Sequence, residues 1–233
     1  LTRAMDQMVE DISLMNLPVR FVIDRAGCVG ADGETHQGLF DLGYLCSLPN
    51  MSIIAPSSAQ DLIDSMFFME TYTKGPIAIR FPKASEAADN INYTKRNILA
   101  EGKIRVLNEG SDITIISIGS MLDTAKKTRD ILEKSNISTA LVDLFWIRPL
   151  DVEGLVNIIS RAKHFVILDE SYLDAGASGY VLNRINPKYL NRFIKTFAFP
   201  PDIITHGEKN EIFKHYHLDE NSIASEIISF LKN

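Results

Sequence analysis

From residue 113 to residue 168 the chain repeats one pattern. Short apolar runs at 113–118, 139–144 and 164–168 alternate with stretches at 122–134 and 152–162 whose apolar positions recur at helical spacing. Strands separated by a helix cannot pair as hairpins, so they pair in parallel, and the crossover helices cover both faces of the sheet. Ser120 and Asp151 stand where the two helices need an N-cap acceptor. A strand at 193–197 and a closing amphipathic helix at 221–231 complete this half.

The first half follows the same logic less regularly. Leu1, Ala4, Met5, Met8, Ile12 and Met15 share one face of a helix over residues 1–16, away from Arg3, Asp6, Glu10 and Asp11. A buried strand at 19–24 runs into a long loop, and further strands are expected at 52–55 and 77–81. Between those two lies a helix at 58–72, opened by a capping box of Ser57 and Gln60. Residues 83–112 are polar, hold only a weak strand candidate at 103–107, and read as a linker. The expected fold class is therefore α/β, with two doubly wound domains.

A length of 233 residues with 45% hydrophobic and 23% charged side chains provides for two cores and argues against disorder. The net charge of −6 and the absence of a basic run exclude nucleic acid and anionic membrane as principal partners. No apolar stretch approaches the roughly 20 residues that cross a bilayer, so a soluble chain is expected. Cys28 and Cys46 lack metal-type spacing and read as reduced thiols in a reducing compartment. Leu1 already falls within the helical pattern, so the natural start is expected upstream, where any targeting segment would lie.

Chemistry concentrates in Asp24-Arg25-Ala26-Gly27-Cys28-Val29-Gly30-Ala31-Asp32-Gly33-Glu34-Thr35-His36-Gln37-Gly38. Loops at the carboxyl ends of parallel strands are where such folds bind ligands, and glycines let a ligand approach the backbone closely. A histidine near Asp32 and Arg25 can donate to a developing alkoxide, and the arginine offers a fork for a carboxylate or phosphate. The same residues could equally form a well-satisfied polar connection. Lys83 would share the sheet edge with this loop if the strands at 19–24 and 77–81 are parallel; otherwise it is a surface lysine. Gly176 to Gly179 lacks the full dinucleotide spacing and is either a nucleotide turn or a backbone contact. His215 and His217 have no carboxylate or cysteine at ligand spacing, and His206 marks a turn. Trp146, beside Arg148 and Pro149, is a packing or interface residue.

The loop, together with Leu17-Pro18-Val19-Arg20-Phe21, Ala55-Pro56-Ser57, Arg80-Phe81-Pro82-Lys83 and Arg148-Pro149-Leu150-Asp151, resembles the 1-deoxy-D-xylulose-5-phosphate synthases. These are transketolase-like thiamine diphosphate enzymes, and the resemblance covers nearly the whole chain. It implies a pyrimidine-binding domain over 1–95, cut at its beginning, then a transketolase carboxyl-terminal domain over 96–233. The family condenses pyruvate with D-glyceraldehyde 3-phosphate, with loss of carbon dioxide, for isoprenoid and thiamine precursors, in bacterial cytoplasm or a plastid or apicoplast stroma. By position, Arg3 would lie near the cofactor aminopyrimidine, and His36 would be the catalytic contact to the reacting oxygens. Arg25, Asp32 and Lys83 would face the acceptor and its phosphate. Lys83 stands where the family commonly has arginine, which replaces a fork with a point charge.

The family's activating glutamate, its stacking aromatic and the diphosphate domain that holds Mg2+ fall outside this sequence. The resemblance thus implies thiamine diphosphate and magnesium as cofactors, the missing amino-terminal half as a partner, a homodimer, and no activity for this stretch alone. Two alternatives share the architecture: the beta chain of a 2-oxoacid dehydrogenase first component, and a doubly wound assembly module without chemistry.

Overall fold

The computed structural model describes residues 1–86 and 91–232. It contains two α/β sheets. The first has strand order β1-β3-β2-β7, from β1 (Arg20–Ile23), β2 (Ser52–Ile54), β3 (Ile77–Arg80) and β7 (Trp146–Arg148). The second has order β4-β6-β5-β8-β9, from β4 (Arg105–Asn108), β5 (Ile113–Ser117), β6 (Thr139–Asp143), β8 (His164–Tyr172) and β9 (Phe193–Phe199). Strands β5, β6, β8 and β9 are parallel, as the alternating pattern requires. The weak strand candidate of the linker is β4, which closes one edge antiparallel to β6.

Side-chain alternation along the second sheet assigns its two faces. Ile113 and Ile115 of β5 and Val166 and Leu168 of β8 pack beneath α4 (Met121–Lys134), α7 (Lys209–His215) and α8 (Glu220–Lys232). Ile116 of β5, Phe165 and Ile167 of β8 and Ile118 beyond β5 meet α5 (Val152–Ile159) and α6 (Ala177–Leu182) on the other side. That second core does not stop at the sheet. It runs without interruption into Met8, Ile53, Ala78, and Leu42 and Leu45 of α2 (Asp41–Ser47). The two halves therefore share one apolar interior. A third cluster, with Trp146 fully buried, packs α3 (Ala59–Thr71) on the first sheet.

Trp146 is more than a packing residue. It lies in β7, a strand from the second half that pairs antiparallel with β2 of the first, Ile53 facing Arg148 and Ile54 facing Trp146. A second tie is Arg105, whose guanidinium reaches Asp61 on α3 at 2.5 and 2.9 Å, Ser57 at 2.8 Å, and the buried Asp143 at the end of β6.

Three local details differ from the sequence reading. The N-cap of α3 is Ser58, which accepts from the Asp61 amide at 3.1 Å, because Ser57 donates to Asp143 instead and Gln60 turns to Asp64. Ser120 caps nothing with its side chain; its hydroxyl donates to Glu170. The helix expected over 1–16 is tight over Thr2–Ala4, α-helical over Met5–Gln7 (α1) and π-wide over Met8–Ser13. Asp151 does cap α5, accepting from Gly154 at 3.1 Å. Residues 87–90 of the expected linker lie outside the described residues, while Asn92 and Asn97 beyond them bond to Gln60 and Asp64 on α3. Among the described residues no helix is long and apolar enough to cross a membrane.

Candidate functional site

Strands β1 and β3 are parallel neighbours with Ile23 beside Arg80, so the segments that leave them emerge at the same edge of the sheet. The loop after β1 begins with Arg25 in a left-handed conformation, φ 55°. It closes on itself through Gly27 and Gly38, which exchange backbone hydrogen bonds of 2.8 and 2.9 Å. A side chain at Gly38 would collide with the Arg25 carbonyl, so this neck admits only glycine there. Inside it, two short helical turns, Gly30–Asp32 and Glu34–His36, present the polar side chains.

Asp32 joins the cations. Its carboxylate accepts from Lys83 at 2.6 Å and faces the Arg25 Nε at 3.5 Å. The Lys83 hydrogen bond, with the charges of Lys83, Arg25 and His36, holds the Asp32 carboxyl below its usual range against a smaller desolvation effect. Arg25 and His36 both line a cleft of about 940 Å³, together with Val22, Phe40 and Tyr44. The His36 ring is exposed, with Nδ1 3.0 Å from the Thr35 hydroxyl. Arg3 is exposed in the first turn; its neighbours Leu1 and Thr2 line the cleft, and Arg3 does not. The structure thus gathers Arg25, Asp32 and Lys83 into one charged cluster beside His36.

Beneath the cleft lies a pair the sequence reading passed over. Arg80 and Asp41 are 2% and 4% exposed and bond at 2.8 and 3.3 Å, a fork on a carboxylate. Burial opposes the guanidinium charge, but Asp41, with Asp169 and Glu170, outweighs it and raises the Arg80 pKa. Asp41 also takes the Leu42 amide at 2.9 Å at the start of α2, anchoring the segment that carries Phe40 and Tyr44. The Tyr44 hydroxyl is pushed up to about 12, mainly by burial and further by Asp41, so it stays a neutral donor. An arginine inside the otherwise apolar run Ile77 to Phe81 was the available signal, since a charge in a buried strand demands a buried partner.

Gly176 to Gly179 is a backbone contact: the Ser178 amide donates to the buried Asp169 at 3.2 Å at the start of α6. No group of three or more His, Cys, Asp or Glu side chains among the described residues is arranged to hold a metal ion.

Residues 1–86 match the family model for the transketolase pyrimidine binding domain, and residues 102–223 that for the transketolase C-terminal domain. Curated relatives include the 1-deoxy-D-xylulose-5-phosphate synthase of Clostridium tetani, 37% identical over 99% of this chain and 37% of its own length. That of Chlorobaculum tepidum is 34% identical over all of this chain and 36% of its own. The chain thus spans little more than a third of the length of these relatives. Among solved structures, a split-gene transketolase described as an inactive beta4 tetramer superposes with a TM-score of 0.79 at 22% identity, covering 97% of this chain and 71% of that one. A transketolase mutant from Pichia stipitis gives 0.67 at 17% identity, covering 93% and 30%. Those two likenesses show the fold alone. The order of the two family models along one chain, on two α/β sheets that share a core, establishes that this protein belongs to the transketolase family.

Proposed function

We propose that this chain forms the substrate side of a thiamine diphosphate-dependent synthase that condenses pyruvate with D-glyceraldehyde 3-phosphate, releasing carbon dioxide and forming 1-deoxy-D-xylulose 5-phosphate. The observation that carries this reading is the Arg25–Asp32–Lys83 cluster beside His36, with Arg25 and His36 lining the cleft. The identity with synthases of that name supports the choice of reaction. We put the domain boundary between residues 95 and 96, within the interval that separates the two family-model matches.

The cleft suits the organic part of the cofactor: Val22, Ile23, Phe40 and Tyr44 offer an apolar wall to an aromatic ring, and the Tyr44 hydroxyl remains a donor. When bound, thiamine diphosphate supplies a nucleophilic carbon and an electron sink for decarboxylation. From the family resemblance we assign magnesium and the diphosphate to sequence outside this chain, and expect this chain alone to be inactive and the complete enzyme to be a homodimer.

Each residue then has a task set by its chemistry. His36 donates to the oxygen on which charge develops, and Arg25 offers its fork to the substrate carboxylate or phosphate. Lys83 supplies a point charge for the acceptor phosphate, with Asp32 holding it in position until the phosphate competes for it. Arg3, exposed next to the cleft-lining Leu1 and Thr2, is assigned to the cofactor side.

The test is reconstitution of the complete enzyme with pyruvate and D-glyceraldehyde 3-phosphate and detection of deoxyxylulose phosphate. His36→Ala lowers turnover by about a hundredfold while leaving the thermal midpoint near wild type. Turnover with a lipoyl acceptor in place of the triose phosphate would identify a dehydrogenase chain instead, and unchanged turnover in His36→Ala would remove that residue from the chemistry.

A further inference from the structure

The substrate loop grows out of the first sheet, but the second half of the chain holds it. Glu170, in β8 and fully buried, reaches across to the neck of the loop. Its Oε1 accepts the Cys28 amide at 2.8 Å and faces the Lys209 ammonium at 2.6 Å, and its Oε2 accepts the Ser120 hydroxyl at 2.5 Å. Gly27, at φ 80°, leaves the room this requires: a Cβ there would sit 2.5 Å from the Glu170 carboxyl carbon. Other contacts seat the loop from the same side. The Gly207 amide donates to the Gly30 carbonyl at 3.4 Å, the Gln37 side chain to the Ile204 carbonyl at 3.4 Å, and the Tyr172 amide to the Leu39 carbonyl at 3.2 Å.

The hydrogen bond at Cys28 is the one that fixes direction. It lies just inside the Gly27–Gly38 closure, so a rotation there is carried to both Asp32 and His36, while Arg25 stands just outside it. A hydrogen bond from an amide to a carboxylate is roughly twice as strong as one between neutral groups. The carboxylate is in turn held in one rotamer by Ser120 and Lys209, which come from two different elements. The Glu170 carboxylate bonds to Cys28, Ser120 and Lys209, none of which is assigned to substrate.

We infer that Glu170 is a positioning residue, which sets from the second half the orientation in which His36 and Asp32 meet substrate; the inference rests on the functional reading above only for what the loop then binds. Loss of the Cys28 bond lets the neck turn, and displacement of a catalytic group by about 1 Å lowers rate on the order of a hundredfold.

The experiment compares Glu170→Gln, Glu170→Ala and Ser120→Ala in the complete enzyme, with hydrogen exchange of the Cys28 amide and of residues 28–37 as the readout independent of activity. Glu170→Gln keeps an oxygen for the Cys28 amide and should retain most loop protection and most kcat. Glu170→Ala should lose protection in the loop, but not in β5 or β8, and should lower kcat about a hundredfold per folded molecule. Ser120→Ala, which frees only Oε2, should fall between the two and keeps the test open if the alanine variant does not fold. Unchanged exchange in residues 28–37 across the variants, or kcat losses that follow only the folded fraction, would overturn the inference. A wild-type enzyme that makes no deoxyxylulose phosphate would overturn the functional reading, while the exchange measurement would still decide the role of Glu170.

Discussion

Replacing Arg80 with methionine should destabilise the chain far more than loss of a surface charge. Methionine fills much the same volume, so the main effect is electrostatic: the Asp41 carboxylate, 4% exposed, loses both guanidinium bonds and, among the described residues, keeps only the Leu42 amide. Breaking a buried pair from one side costs about 3–5 kcal/mol. For a chain of this size each kcal/mol lowers the midpoint by roughly 2–4 °C, so Tm should fall by about 6–20 °C. Arg80→Met/Asp41→Leu removes both charges and should recover much of the loss, since buried pairs replaced by apolar residues are often near neutral. Recovery should be incomplete, because Asp169 and Glu170 also interact with Arg80. Urea melts of single and double variants measure the coupling. High salt should leave the difference almost intact, as screening acts weakly on buried pairs. A single variant within about 1 kcal/mol of wild type, or a double variant no more stable than the single, would refute the reasoning.

Lys83→Arg restores a fork to the cluster and should lower the acceptor KM by roughly threefold to tenfold, measured by steady-state kinetics; an unchanged KM returns Lys83 to a surface role. Lys83→Met should raise the Asp32 pKa toward 3.8, followed by NMR titration of its carboxyl carbon, because the Lys83 hydrogen bond is the main cause of its depression. The sign follows: a carboxyl whose native pKa is lowered stabilises the fold above its unfolded value, and that contribution is lost as pH falls through the native pKa. The window therefore lies below 3.8, and the contribution is small because Asp32 is only partly buried and its partner Lys83 is exposed to solvent. Arg105→Met leaves the fully buried Asp143 without its cation and should cost about 3 kcal/mol, read by thermal unfolding.

What the sequence revealed tracks how local the cause is. The strands and helices of the second sheet were legible because their apolar period is set within each segment. Strand β7 was not, since three residues carry no period and its partner β2 lies about a hundred positions earlier in the chain. Helix α2 has only seven residues and no side-chain N-cap from its preceding residue. The choice between Ser57 and Ser58 as cap is decided by Asp143, 86 residues away from Ser57, so the adjacent serines cannot be told apart locally. The same holds at the site. Arg25, Asp32 and His36 fall in one run and could be nominated together, whereas Arg80 meets Asp41 across 39 positions and Glu170 meets Cys28 across 142. The polar run Asp169-Glu170-Ser171 looked like the end of a strand, yet β8 continues through it and buries all three.

The insertion of β7 beside β2 decides where this protein can be cut. A piece ending before residue 105 would keep β1, β2 and β3 but leave β2 as a bare edge of unpaired amides and carbonyls, beside the part of the apolar interior it had shared with the second half. Such an edge is a template for pairing with other chains. The complementary piece would carry Trp146 into solvent. A gene encoding either half by itself would yield material prone to aggregate, so a division of labour between separate polypeptides is feasible upstream of both sheets but not between them.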